Sequence, residues 1–206
     1  MAEERNGNWK ALQIRGLRQR WLVNTILPVL ILLALIVTLF SAGISNYYYR
    51  SMEDGMAQQV QALATSFNEY FMNNGFNEYY RNAEQATKTF EDRDCMELQF
   101  INTSGHIIVS TSGLRAGSAP GTDDITRAIT QQDLASFQGQ DPDTGEKILS
   151  VSYPLSSSDG RVAGVVRVVT SLQAADRQIL LAVLAVLAIA LLCMALVFIS
   201  NLLFIN

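Results

Sequence analysis

A few polar side chains in the middle of the chain are candidates for binding a small molecule. Arg115 lies in a segment rich in glycine and serine, where an open backbone leaves its guanidinium free to bind a carboxylate through two hydrogen bonds. His106 is the only histidine, and histidine side chains serve as pH sensors in some proteins. Such side chains are also common on solvated strands and loops. The predicted ligand-binding residues are Arg115, His106, Arg127, Tyr153 and Arg167.

The residues do not form a pattern typical of an enzyme. The His, Cys and carboxylate residues lack the spacing of metal ligands, and no nucleophile is paired with a general base. The glycine-rich segment at residues 113–121 lacks the Lys-Ser/Thr that completes a phosphate-binding loop. We therefore predict no catalytic residue, no metal site and no cofactor in this chain, and an extracytoplasmic enzyme is the least favoured reading.

Two long runs without a charged residue, at 21–49 and 179–206, predict membrane spans. About 20 apolar helical residues cross a hydrocarbon core. We assign transmembrane helices to residues 21–45 and 179–203. A cleaved signal peptide is the alternative for the first run, but it exceeds the usual apolar region of such peptides. A buried helix of a soluble domain is the alternative for the second run, which exceeds ordinary buried helices.

Charge next to the first span predicts the orientation, because Lys and Arg stay on the cytoplasmic side. Five basic residues precede the span, whereas only Arg50 follows it closely. We expect residues 1–20 and the C-terminus to be cytoplasmic and residues 46–178 to lie outside the cell membrane. The net charge of −4 combines a basic tail with an acidic outer domain, which argues against nucleic acid as a partner. The basic residues are Arg5, Lys10, Arg15, Arg18 and Arg20.

The outer segment reads as helices followed by a sheet. Apolar residues recur at helical spacing through residues 50–92, with a break at 73–75. Within residues 95–172 we predict strands at 96–100, 106–110, 147–153 and 162–170. A helix is predicted to start at Thr122 or Asp123 and to end before Gly139. This order predicts an α+β domain with an antiparallel sheet of about five strands.

The two cysteines are not expected to form a disulfide with each other, since Cys95 lies outside and Cys193 lies deep in the second span. We predict that Cys95 is a packed strand residue. A bridge to a second copy of the chain is the alternative.

Three segments carry a family resemblance: LQFINTSGHIIVS at 98–110, DPDTGEKILSVSYPL at 141–155 and GRVAGVVRVVTSL at 160–172. With them, the chain resembles the N-terminal sensor half of bacterial two-component sensor histidine kinases, whose outer domain is PAS-like, of the single Cache type. FISNLLF at 198–204 is similar to the junction with a HAMP linker, so residues 204–206 are expected to begin one. The resemblance implies a homodimer. It also implies that ATP, Mg²⁺ and a response regulator belong to a kinase part that is missing here.

The leading functional hypothesis is a membrane receptor for an unidentified small molecule or envelope ligand. Its signal is expected to pass along the last strand through Val168, Thr170 and Leu172 into the second span. Charged substitutions at Val166, Val168 or Leu172 are expected to uncouple signalling. Two alternatives remain: the sensor half of a chemoreceptor or cyclic-dinucleotide enzyme, and a two-span accessory protein of the cell envelope without an output enzyme.

Overall fold

The computed structural model describes residues 17–71, 76–113, 117–157 and 160–205. The chain divides into two units. One is Ser45–Gln178, and the other combines the chain before Ser45 with the chain after Gln178. The predicted helix break at 73–75 and the predicted ligand-binding residue Arg115 lie outside the described residues.

The described helices include two long apolar ones. Within the described chain, Leu27–Phe67 and Gln173–Ser200 are long and apolar enough to cross a membrane, with mean hydropathies of 2.6 and 3.2. The two helices meet this requirement by their length and composition. The helices are α1 (Leu17–Phe71), α2 (Phe76–Thr89), α3 (Asp123–Gln131) and α4 (Gln173–Ile205).

A five-stranded antiparallel sheet forms the centre of the unit Ser45–Gln178, with the spatial order β2-β1-β5-β4-β3. The predicted α+β class with about five antiparallel strands is confirmed. β5 is the middle strand, and it is followed at once by α4. The strands are β1 (Met96–Asn102), β2 (Ile107–Ser110), β3 (Ala135–Gln140), β4 (Lys147–Ser156) and β5 (Val162–Ser171).

Each face of the sheet is covered differently, because neighbouring residues of a strand point to opposite faces. Leu98, Val168 and Val151 are aligned across three strands and pack against α1 and α2. On the other face, Ile101 and Val165 pack against α3. The face that carries α3 is left partly open beside the helix, and the polar residues gather there.

α3 ends at Gln131, before Gly139 as predicted. Gln132 then adopts a left-handed conformation with φ of 55°, and β3 begins at Ala135. Two local predictions differ from the structure. His106 lies in the turn before β2 rather than on the strand. Cys95 is exposed in the turn before β1, so the prediction of a packed strand residue is wrong.

Candidate ligand-binding cleft

A cleft of about 340 Å³ opens on the sheet face that carries α3. Gln99 of β1 and Arg167 and Val169 of β5 lie at its base. Residues 111–112, Ser118, Pro120 and the segment 141–146 contribute its sides. A volume in this range is typical of a site for a small molecule.

Arg167 is the most buried charged side chain at this cleft, with 1% of its surface exposed. Its Nε donates to Asp124 Oδ2 at 2.9 Å, and Asp124 is fully buried. Its Nη1 donates to Gln99 Oε1 and its Nη2 to Thr122 Oγ1, both at 2.9 Å. The guanidinium is therefore held in place by β1 and by the start of α3.

Asp124 receives further hydrogen bonds from the sheet beneath it. The hydroxyls of Ser150 and Ser152 donate to its Oδ2 at 2.9 and 2.7 Å. These partners meet because Gln99 and Ser152 are the direct neighbours of Arg167 on the two flanking strands. A buried charge needs this combination of a counter-charge and hydrogen bonds.

The ion pair stays charged at neutral pH. Burial by itself raises the pKa of Asp124. Attraction to Arg167 and the hydrogen bonds from Thr122 and Ser152 lower it by more than burial raises it, so the pKa lies below its ordinary value. Because Asp124 neutralises Arg167 inside the protein, this arginine does not supply an uncompensated positive charge to a ligand.

Carboxylates dominate the charge along the rest of the cleft. Arg93 is the other basic residue among the described lining residues. Glu97 Oε1 accepts hydrogen bonds from Gln99 Nε2 at 2.9 Å and from Ser112 Oγ at 2.6 Å. Because Arg167 donates to the amide oxygen of Gln99, the amide NH₂ of Gln99 is turned toward Glu97 and donates to it. The acidic lining residues are Glu97, Asp141, Asp143 and Glu146.

The two acidic residues at either end of the β3–β4 turn have structural partners. Asp141 Oδ1 accepts from the backbone N–H groups of Asp143 and Thr144 at 2.8 and 2.9 Å, which stabilises the turn. Glu146 Oε1 accepts a hydrogen bond from the Ser171 hydroxyl at the end of β5. The turn is thereby connected to the strand that leads into α4.

The structure places the predicted ligand-binding residues in different parts of the domain. Arg167 lines the cleft. His106 is exposed in the β1–β2 turn, where its backbone N–H donates to Asn102 Oδ1 at 3.0 Å. Arg127 pairs with Asp123 on α3, with 3.3 Å from Nε to Oδ2. Half-buried Tyr153 packs with the core on the α1 and α2 face, opposite the cleft.

The predicted coupling residues lie along β5 and just beyond it. Val168 and Leu172 are fully buried in the core. Thr170 lines the cleft, and its hydroxyl donates to the backbone oxygen of Cys95 at 2.9 Å. These positions connect the base of the cleft to the start of α4.

Sequence reasoning did not find the carboxylates that line the cleft or the partner of Arg167. The alternation of β1 already placed Glu97 and Gln99 on one face, which was the available signal. Among the described residues, no group of His, Cys, Asp and Glu side chains is arranged to hold a metal ion.

Sequence comparison identifies no relative, whereas structural comparison identifies solved domains of similar fold. No family model and no curated protein matches this chain. The ligand-binding domain of the Campylobacter jejuni chemoreceptor Tlp3, solved with L-valine, matches with a TM-score of 0.52 and 11% identity, over 79% of this chain and 66% of that one. The sensor domain of the V. cholerae histidine kinase DctB matches with a TM-score of 0.51 and 11% identity, over 66% and 55%.

The unit Ser45–Gln178 has a Cache-like fold, similar to that of these two domains. The present chain spans less than two thirds of the length of either solved domain. At 11% identity the likeness concerns the fold. The acidic lining of the cleft is established from the residues of this chain and not from the similarity to these domains.

Proposed function

We propose that this chain is the signal-receiving part of a membrane receptor, in which the Cache-like domain binds a small molecule in the cleft. The observation that carries the proposal is the position of β5. Val169 and Ser171 line the cleft, and α4 begins at Gln173 directly after the strand. A change in the cleft therefore has a path of a few residues to an apolar helix that is long enough to cross a bilayer.

The likeness to both a histidine kinase and a chemoreceptor supports two outputs for such a receptor. We propose control of a histidine kinase in a homodimer as the output. ATP, Mg²⁺ and a response regulator would then act at the kinase part. Chemoreceptor output is the second candidate, since the Tlp3 domain has the same fold.

The charge of the cleft bears on the ligand. The L-valine bound by the Tlp3 domain is a small molecule, and we propose a small molecule for this domain as well. Asp124 neutralises Arg167. The remaining charged residues among the described lining residues are then one basic residue, Arg93, and four acidic ones. Charge complementarity thus favours a positively charged ligand over an anion.

A pair of four-carbon ligands of opposite charge tests this cleft. We expect the full chain in lipid nanodiscs to bind 1,4-diaminobutane and not succinate, measured by titration calorimetry at low salt. Glu97→Gln should weaken diamine binding about tenfold or more, since a charge-assisted hydrogen bond is lost. Glu91→Gln is the matched control, because Glu91 is exposed and lies outside the cleft lining. Binding of succinate alone would contradict the expected ligand charge.

The orientation in the membrane is tested with the native cysteines. Cys95 is exposed in the unit Ser45–Gln178, whereas Cys193 lies in α4 within a stretch that is long enough to span a bilayer. We expect a membrane-impermeant maleimide to label Cys95 in intact cells and Cys95→Ser to abolish the labelling. Labelling that appears only after lysis would place residues 46–178 in the cytoplasm.

A further inference from the structure

Three side chains from three elements meet where α4 begins. Lys147 Nζ, at the start of β4, lies 2.9 Å from Asp176 Oδ2 and 3.3 Å from its Oδ1. The Tyr49 hydroxyl on α1 also donates to Asp176, in the first turn of α4. Lys147 Nζ lies 3.2 Å from the Tyr49 hydroxyl and 5.1 Å from the centre of its ring. We refer to Tyr49, Lys147 and Asp176 as the helix clamp.

The helix clamp is directly adjacent to the cleft. Lys147 follows Glu146, which lines the cleft and accepts the hydrogen bond from Ser171. The backbone N–H of Leu172 donates to the Lys147 oxygen at 2.9 Å, and the N–H of Asp176 donates to the Leu172 oxygen at 2.8 Å. A displacement of Glu146 therefore acts on Lys147 and on the first turn of α4 through a few bonded groups.

The ion pairs Arg167–Asp124 and Lys147–Asp176 differ in how readily they can break. Arg167 and Asp124 are 1% and 0% exposed, so separating them leaves buried charges unpaired. Lys147 and Asp176 are 44% and 39% exposed, so water can solvate both when they part. The helix clamp is thus weak enough to respond to a ligand, whereas the buried pair preserves the fold.

We propose that the helix clamp holds the first turn of α4 against α1 and β4 in the unliganded domain, and that a cationic ligand at Glu146 releases it. The inference rests on the proposed function, because it assigns a regulatory role to the cleft. The ligand competes with the Ser171 hydroxyl for the Glu146 carboxylate, and a cation binds a carboxylate more strongly than a neutral hydroxyl does. The resulting shift of Glu146 moves Lys147 away from Asp176.

Amide hydrogen exchange of residues 173–178 measures the release in the full chain in nanodiscs. Lys147→Met keeps the apolar stem of the side chain, and Asp176→Asn keeps the shape of its partner. Each variant should raise the exchange rate of this segment about two- to fivefold without ligand, because a half-exposed ion pair is lost. Saturating 1,4-diaminobutane should raise the rate of the wild type to the same level and add little to either variant.

Two controls separate the clamp from general loosening. Lys88→Met removes the exposed Lys88–Glu84 ion pair on α2 and should leave residues 173–178 unchanged. The exchanged pair Lys147→Asp with Asp176→Lys should restore slow exchange. Unchanged exchange in both single variants overturns the clamp, and so does bound diamine without faster exchange. Absence of diamine binding in the calorimetric titration instead counts against the ligand that the inference requires, and overturns the release step.

Discussion

Replacing Arg167 with methionine should destabilise the Cache-like domain by about 3 to 5 kcal/mol, because it leaves the buried carboxylate of Asp124 without its counter-charge. The loss should exceed that of any single surface ion pair in the domain. Urea unfolding of the full chain, monitored by proteolysis of the Cache-like domain, measures the difference in the free energy of unfolding. Arg161→Met is the matched control, because Arg161 is exposed.

A double variant distinguishes a charge effect from a packing effect. Arg167→Met combined with Asp124→Leu removes both charges, and we expect it to recover much of the stability that the single variant loses. A double variant that is no more stable than Arg167→Met would show that shape, rather than charge, makes this site important.

The stability of Arg167→Met should depend on pH with the opposite sign to that of the wild type. In the wild type the pKa of Asp124 is lowered, so its contribution is present above the ordinary pKa of about 3.9 and is lost as the pH falls through the lowered value. In Arg167→Met burial dominates and raises the pKa of Asp124 above that value. Stability of the variant should then rise as the pH falls from neutral. A urea series from pH 7 to about pH 3 covers both this rise and the loss of the Asp124 contribution in the wild type. A slope of the same sign in both proteins would contradict this account.

Phe100→Ala should cost about 3 to 5 kcal/mol, because it opens a cavity where both N-terminal helices meet the sheet. The Phe100 ring is fully buried, with its centre 4.8 Å from that of Phe67 on α1 and 6.3 Å from that of Tyr79 on α2. Urea unfolding measured as for Arg167→Met gives the loss.

Tyr80→Ala provides the comparison for Phe100. Tyr80 is next to Tyr79 on α2 but is 43% exposed, so its removal should change stability by about 0.5 kcal/mol or less. Similar losses for the two variants would mean that the aromatic contacts do not hold α1 and α2 on the sheet.

These burial values also change how signal coupling should be tested. Val166, Val168 and Leu172 are all fully buried. A charged residue at any of them is expected to unfold the domain, since an unpaired buried charge is very costly. Loss of output in such a variant would therefore not isolate the coupling step. Substitutions in the half-exposed helix clamp separate coupling from folding.

The sequence determined the features that depend on near neighbours along the chain. Charge-free runs marked the two helices that are long enough to cross a membrane, because helix length and composition decide that property. Alternation in β1 and the β-branched residues of β5 predicted strands, and the turn residues between successive strands predicted an antiparallel sheet. The sequence placed the end of α3 before Gly139 but did not locate it at Gln131, because a left-handed Gln132 is not a usual helix-ending residue.

Only the tertiary structure decided which polar residues meet. Arg167 and Asp124 are 43 positions apart in the chain, and Tyr49 and Asp176 are 127 apart. Alternation assigns a residue to one of two faces, but it does not say which strand lies beside it or which helix covers that face. The register of β1, β4 and β5 and the position of α3 settle those questions. Arg167, which the sequence offered only as one of five candidate ligand-binding residues, is therefore neutralised within the protein, because the fold brings the carboxylate of Asp124 onto it.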